Sequence, residues 1–372
     1  GASALPAGVV APHVSPDDRP LSRLTRAGAV ATLTCARQRL AEGQDWAETG
    51  VLERHAPNKR RLPEAWAAAL NTESDLSGQP LSVPLVGAHA ERAARQAHVV
   101  IDAAHPALWH AQAGWIKPAS LVQALLAQPG IVWRGGVTVA RFARRTDQEA
   151  HAPHWQLFDD NGQKLIDTDL LVLAAGFDTL ALLRASAAAP HVPLPPLQAL
   201  RGQVAYGGMD GATPAAADFP PWPVNGHGSL IADMPCAKFG KGWIAGSTFE
   251  RDQSAPLLCE ADHAANLTRL SELLPAAAAR LTPQFTHGQA RSWAAVRCTV
   301  PDRLPLVGPW AEATSAPTDP LAAPWLLTGL GARGLPLAVL CGEILAAWLH
   351  AEPLPIERRL ALTLRAGRWW GR

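Results

Sequence analysis

The sequence has one tyrosine, and its five cysteines include no Cys-x-x-Cys pair. Cys35, Cys236, Cys259, Cys298 and Cys341 are scattered and odd in number, which argues against a disulfide framework and against a zinc site. They are expected to be reduced and mostly packed. Charge of one sign is also lacking: charged residues make up 17% and the net charge is +1, so no global field announces a nucleic-acid partner. No apolar run reads as long enough for a membrane span. The opening Gly1-Ala2-Ser3-Ala4-Leu5-Pro6 has neither the basic flank nor the apolar block of a signal peptide. A cytoplasmic protein with no metal and no membrane attachment is the expectation.

What is present is a 372-residue chain with 48% hydrophobic residues, enough for one elaborate domain or two interleaved ones. Arginine far outnumbers lysine, with clusters at 58–61 and along Arg358, Arg359, Arg365, Arg368 and Arg372. Skewed codon composition accounts for that excess more simply than phosphate binding does. The first thirty residues read as loop, then as a helix from Leu21 to Leu40 with no strand before it. Gly114-Trp115-Ile116 reads as a strand, and Pro118 suits a helix N-terminus. The stripe Leu121, Val122, Leu125 and Leu126 continues that helix until Pro129-Gly130 stops it. Ile131-Val132-Trp133 and Val137-Thr138-Val139 read as strands. Trp155–Phe158 and Lys164–Thr168 flank the turn Asp160-Asn161-Gly162 as a hairpin.

Leu170 to Leu173 is a continuous apolar run, the pattern of a strand buried on both faces, and it ends in Ala174-Ala175-Gly176. From Pro190 to Pro309 the chain is rich in Pro and Gly, with strand-like pieces at Gln203–Tyr206, Ser229–Ala232 and Trp243–Gly246. One helix, Ala261 to Leu281, interrupts what reads as an antiparallel substrate-binding sheet. Trp325-Leu326-Leu327 is a last buried strand, followed by a glycine loop and a helix from Pro336 to Leu349.

That loop, Gly329-Leu330-Gly331-Ala332-Arg333-Gly334, spells G-x-G-x-x-G between strand and helix, where backbone N–H groups suit an anion or an electron-rich ring edge. A dinucleotide fingerprint also requires a second strand bearing an acidic residue, and too little chain follows for one. By pattern alone, a tight turn with no ligand stands level with a nucleotide site.

Three stretches bear a resemblance. Gly1-Ala2-Ser3 with Gly8 is similar to a small-residue loop of the D-amino-acid-oxidase superfamily of flavoproteins. So are Val296-Arg297-Cys298-Thr299 through Asp302-Arg303-Leu304-Pro305-Leu306-Val307-Gly308, and Gly329–Gly334 running into Leu340-Cys341-Gly342-Glu343-Ile344-Leu345-Ala346-Ala347. Weaker matches are Gly114–Pro118, Leu171–Gly176 and Arg201-Gly202-Gln203-Val204. The Arg-Cys and Leu-Cys-x-Glu-Ile-Leu-Ala-Ala pieces resemble the carboxy-terminal oxidoreductase module of bifunctional tRNA-modifying enzymes. Measured against that family, the first strand, its glycine turn and its first helix are not in this sequence.

The resemblance implies an α/β (α+β) fold: an incomplete FAD/NAD(P)-binding Rossmann-like domain interleaved with an antiparallel-sheet substrate domain. It apportions 1–40, 114–185 and 311–372 to the FAD-binding domain, and 41–113 and 186–310 to the substrate domain. The implied cofactor is FAD. Ser3 and Gly8 would lie near the flavin ring and Val137 or Val139 near the adenine end. Ala174, Ala175 and Gly176 would line the cofactor site, with Gly331, Ala332, Arg333, Gly334 and Leu335 beneath the ring. The implied substrate is the carboxymethylaminomethyl group of a tRNA wobble uridine, oxidised at its CH–NH bond to release glyoxylate, with a methyltransferase domain fused upstream. Arg297 matches the family's carboxylate-binding arginine, and Arg333 is a second candidate. Arginine suits the task because its planar fork binds a carboxylate bidentately.

Where related oxidases often place a tyrosine, this chain has Ser229-Leu230-Ile231. A glycine- or sarcosine-type amine oxidase, or a cofactor-free fragment, are the rival readings. His105 and His110 flank Trp109 and read as loop or surface. His151 and His154 lack the partners of a metal site. Most tryptophans read as core, with Trp369-Trp370 as an RNA-facing exception, and Asp302 reads as a turn or ion-pair residue.

Overall fold

Strand and helix boundaries follow the punctuation by proline and glycine. The computed structural model describes residues 1–54, 81–102, 104–145, 154–186, 192–209, 219–310 and 321–369. The basic cluster at 58–61, His151, Trp370 and Arg372 lie outside the described residues. The chain forms two units, one from Gly1–Gln128 and Arg201–Val296, the other from Pro129–Leu200 and Arg297–Arg372.

The first unit is built on a nine-stranded sheet among the described residues. Its order is Glu250–Arg251, Gln198–Gly208, Gly240–Gly246, Gly228–Cys236, Val224–Gly226, Val51–Arg54, Ala107–His110 and Ser82–Pro84, with Arg291–Thr299 pairing to Gln198–Gly208. Helices Gly87–Ala97, Glu260–Leu273 and Pro275–Thr286 supply apolar stripes such as Ala90, Ala93 and Ala97, the spacing of one helical face. Leu52, Trp243, Leu270, Leu274, Leu281 and Phe285 are among the residues of this core.

Arg201 is a buried cation in this sheet. Its Nη1 donates to Glu250 at 2.8 Å and to Asp262 at 2.5 Å, and its Nε donates to the Leu257 carbonyl at 2.7 Å. Beside it, Gln203 bonds the backbone of Cys259 and the hydroxyl of Ser292. A charge this deep requires such pairing.

The second unit holds two three-stranded sheets. Arg141–Arg144, Trp155–Phe158 and Lys164–Thr168 form an antiparallel one. In the other, Val172–Leu173 runs parallel to Trp325–Thr328, which pairs antiparallel with Leu306–Pro309. Phe142 meets Trp155 edge to face at 5.8 Å, and Leu171, Leu173, Trp310 and Leu326 share their core. Each large apolar side chain buried this way is worth about 1.5–3 kcal/mol.

Several expectations change. A strand does precede the first helix: Gly8–Val10 pairs with Gly114–Ile116, too short to show a period. The 131–139 segment is not strand, because its residues find no pairing partner among the described residues; Val132 is 80% and Trp133 68% exposed. Val172 is exposed while Leu171 and Leu173 are buried, so this strand is covered on one face and forms a sheet edge. The helix expected over Ala261–Leu281 is two, since Pro275 cannot donate and Leu274 takes φ −143°. His110 is fully buried rather than on the surface, bonded to Ser82 at 2.7 Å and Glu53 at 3.0 Å. Residues Gly331–His350 are long and apolar enough to cross a membrane, by length and composition. Here Leu337, Leu340, Cys341, Ile344 and Leu345 of that segment are buried within the protein.

Candidate functional site

In the second unit the parallel pairing of Val172–Leu173 with Trp325–Thr328 brings two strand ends to one edge. Ligands of α/β proteins gather outside the carboxyl ends of parallel strands. Each strand here runs into a glycine turn and then a helix. Gly176 (φ +60°) opens the turn Gly176–Asp178 ahead of helix Thr179–Ala185, and Gly329 (φ +74°) and Gly331 (φ +58°) precede helix Gly334–His350. Ala174, Ala175 and Ala332 are exposed, and Gly176, Arg333, Gly334 and Leu335 are half-buried.

A third segment closes on these turns. Arg297, Cys298 and Thr299 end the strand Arg291–Thr299. A Cβ on Gly331 would stand 3.3 Å from Thr299 Oγ1, and one on Gly329 3.4 Å from Val300. Left-handed backbone and this clearance together require glycine. We expect Gly331→Val to add about 1–2 kcal/mol of backbone strain and to weaken FAD binding roughly tenfold, read by flavin-fluorescence titration; unchanged affinity would remove this loop from the site.

Arg297 is half-buried, and burial pushes its guanidinium down to about 10, so it remains a cation at neutral pH. Next to it Cys298 is buried, and burial raises its thiol, keeping it protonated. Thr328, 2% exposed, donates to the Gly176 carbonyl at 3.0 Å and lies 3.7 Å from Cys298 Sγ. Arg297, the Ala174–Gly176 turn and the Gly331–Leu335 loop are therefore brought together in this unit.

Val137 lies in a shallow cleft with Gly136, Thr138, Asp159, Asp160 and Leu165, and Val139 is half-buried two residues on. Ser3 is exposed in a 3-10 turn, and Gly8 is buried opposite Ile116; both belong to the first unit. Sequence reasoning missed Thr328, whose only signal was a hydroxyl residue ending an apolar strand before the glycine loop. Asp302 does make an ion pair: Arg368 Nε and Nη2 reach its carboxylate at 2.8 and 3.1 Å, and the same guanidinium caps the Leu304 and Pro305 carbonyls. His154 approaches Asp169 at 3.9 Å. Among the described residues no group of three or more His, Cys, Asp or Glu side chains is arranged to hold a metal.

A parallel strand pair ending in left-handed glycine turns, with the strand end Arg297–Thr299 beside them, has the layout of a nucleotide-cofactor site in α/β proteins. The sequence matches the family described as FAD dependent oxidoreductase over residues 1–348, and the chain belongs to that family. Among its relatives, the "tRNA 5-methylaminomethyl-2-thiouridine biosynthesis bifunctional protein MnmC" of Polaromonas sp. is 46% identical over 370 residues, covering 98% of this chain and 53% of the relative. The protein of the same name from Delftia acidovorans is 46% identical over 382 residues, covering 99% and 55%. The chain thus spans about half the length of the curated relatives it matches. Glycine oxidase from Geobacillus kaustophilus superposes with TM-score 0.66 at 18% identity, covering 100% of this chain and 90% of that one. L-Proline dehydrogenase from P. horikoshii gives 0.66 at 16%, covering 96% and 86%. These two share the fold. FAD is the cofactor of this family, and the left-handed Gly329 and Gly331 keep this turn as bare backbone packed on Val300 and Thr299, the kind of strand-to-helix turn that presents N–H groups to a nucleotide cofactor.

Proposed function

We propose that this chain is the oxidoreductase part of an enzyme acting on the wobble uridine of tRNA. It would remove the carboxymethyl group from 5-carboxymethylaminomethyl(-2-thio)uridine and leave 5-aminomethyl(-2-thio)uridine. The observation that carries the reading is the half-buried, cationic Arg297 on the strand end whose Thr299 packs against Gly331, taken with the name shared by its relatives. Arg297 binds the carboxylate of the –NH–CH2–COO⁻ group through its fork, and Arg333 is the second cation for it. The turns at Gly176 and Gly329–Gly334 present backbone N–H groups to the cofactor. Bound there, FAD supplies the two-electron oxidation of the CH–NH bond. Water then hydrolyses the oxidised carbon–nitrogen bond, and glyoxylate leaves. With the cofactor carrying the difficult step, the chain's work is to orient the methylene and exclude bulk water before hydrolysis. No serine, histidine or acid–base pair is needed.

The same reading includes a soluble, cytoplasmic enzyme with a methyltransferase domain upstream. The near-zero net charge favours a second reading, an oxidase of free glycine or sarcosine. Single-turnover flavin bleaching separates them: tRNA bearing the modification should bleach FAD faster than millimolar glycine or sarcosine. Faster bleaching by the amino acids reverses the conclusion. Remote phosphate contacts provide the binding energy that would favour tRNA.

The carboxy-terminal arginines divide into two roles in this reading. Arg368 is committed to Asp302 and to backbone carbonyls, whereas Arg365 is exposed over the Trp348 ring. Arg365→Ala is expected to reduce tRNA affinity and to lower the salt-dependence slope by about 1. Arg368→Ala should instead lower the melting temperature. Filter binding across a salt series, with thermal melts alongside, checks both; a changed salt slope from the Arg368 variant alone would reverse the assignment.

A further inference from the structure

We propose that Thr328 is a positioning residue that fastens both glycine turns and the Arg297 strand end into one unit, holding the carboxylate anchor in register with the cofactor loops. The proposal rests on the FAD-dependent reading of this site and adds to it a residue that is itself buried.

A buried hydroxyl is costly unless it is hydrogen-bonded, and valine would fill the same volume without that cost. At 2% exposure, on the strand end that pairs with Leu306, Thr328 therefore needs a reason for its oxygen. Its single proton goes to the Gly176 carbonyl at 3.0 Å. The same oxygen lies 3.7 Å from Cys298 Sγ, the other group within its hydrogen-bonding reach. Thr328 is itself the residue before Gly329, so its side chain sits at the root of the second turn. One hydroxyl thus links Gly176 and Cys298 at the point where the chain enters the Gly329 turn.

The neighbouring geometry explains why a fastening is needed. Gly176, Gly329 and Gly331 all occupy left-handed backbone and carry no side chains that could pin their turns. The first turn is some 150 residues from the second in sequence, with the hydroxyl-to-carbonyl bond spanning |i−j| = 152. Arg297 directly precedes Cys298, so a contact to that sulfur bears on the strand end that carries the anchor. Helix packing aligns the elements, and the hydroxyl aligns their ends.

The test compares Thr328→Val, which keeps the shape and loses the hydroxyl, with Thr328→Ser, which keeps the hydroxyl. Two readouts are taken on the 372-residue chain: hydrogen exchange by mass spectrometry without FAD, and FAD binding by titration with the visible flavin spectrum recorded. The valine variant is expected to accelerate exchange in peptides covering 174–178, 297–300 and 329–334 together. It is also expected to weaken FAD binding roughly tenfold, the scale of one lost buried hydrogen bond, and to shift the flavin band. Serine should restore all three.

Exchange rising in one turn alone, or a valine variant that behaves as wild type in both readouts, overturns the proposal. So does a larger effect from Cys298→Ala, which would move the tie to the thiol. If the wild-type chain takes up no FAD, the cofactor reading fails separately and the exchange pattern still decides the role of Thr328. Thr328→Ala is read in the same way if valine prevents folding.

Discussion

Arg297→Ala is expected to raise roughly a hundredfold the concentration of carboxymethylamino substrate needed to reduce the flavin. A charge-assisted, bidentate partner is worth about 2–3 kcal/mol, and each 1.4 kcal/mol is a factor of ten. Arg297→Lys should recover only part of this, since an ammonium offers a point charge in place of a planar fork. FAD affinity should change little, because the glycine turns carry that contact. Burial holds the guanidinium near 10, which gives the dependence on pH a definite sign. Substrate capture is fully present at neutral pH and falls as pH rises through about 10, where the anchor loses its proton. Stability moves the other way. The folded protein holds this cation less readily than the unfolded chain does, so the cost is present below about pH 10 and relieved above it. Stopped-flow flavin reduction across pH checks both variants, and normal reduction by the alanine variant would remove Arg297 as the anchor.

Arg201→Ala is expected to destabilise the first unit by about 3 kcal/mol, the lower end of the range for breaking a buried ion pair. The substitution leaves Glu250 and Asp262 facing each other without their shared cation and abandons the Leu257 carbonyl. Glu250 is 54% exposed and can rehydrate, which keeps the loss from the upper end. Arg201→Met, which retains much of the stem's packing, should lose less. Chemical denaturation of the three proteins measures the difference; equal midpoints would show the ion pair to be energetically silent.

The parts of the fold that were legible in the sequence are those whose pattern is local. The hairpin Trp155–Phe158 and Lys164–Thr168 appears with the boundaries read from alternation and its turn, where Gly162 takes φ +78°. The 131–139 segment has an equally strand-like composition, and no strand among the described residues pairs with it, so composition misled there. Val172 was misread for a related reason: a run of four apolar residues does not reveal whether a sheet continues beyond it. Pro275 broke a helix that periodicity alone would have carried through. At the site, the glycine loop was visible as a motif but ambiguous, and Arg297 stood out through family resemblance rather than through any property of the residues around it. Thr328 was invisible because its bond partner is far away in sequence, and hydrogen bonds at such range leave no periodic trace.

The nine-stranded sheet has a consequence for the order in which the molecule can be made. Its strands at Val51–Arg54, Ser82–Pro84 and Ala107–His110 join the rest through the parallel pairing of Leu52 with Val224 and Glu53 with Asn225. A nascent chain therefore exposes the Val51–Arg54 edge throughout synthesis of residues 129–200, which belong to the other unit. Pairing of such high sequence separation is slow to form, and an open strand edge is a template for association with other chains. Ribosome-bound chains halted between Gln128 and Arg201 should thus be the aggregation-sensitive stage of biogenesis, when a holding chaperone has most effect on yield.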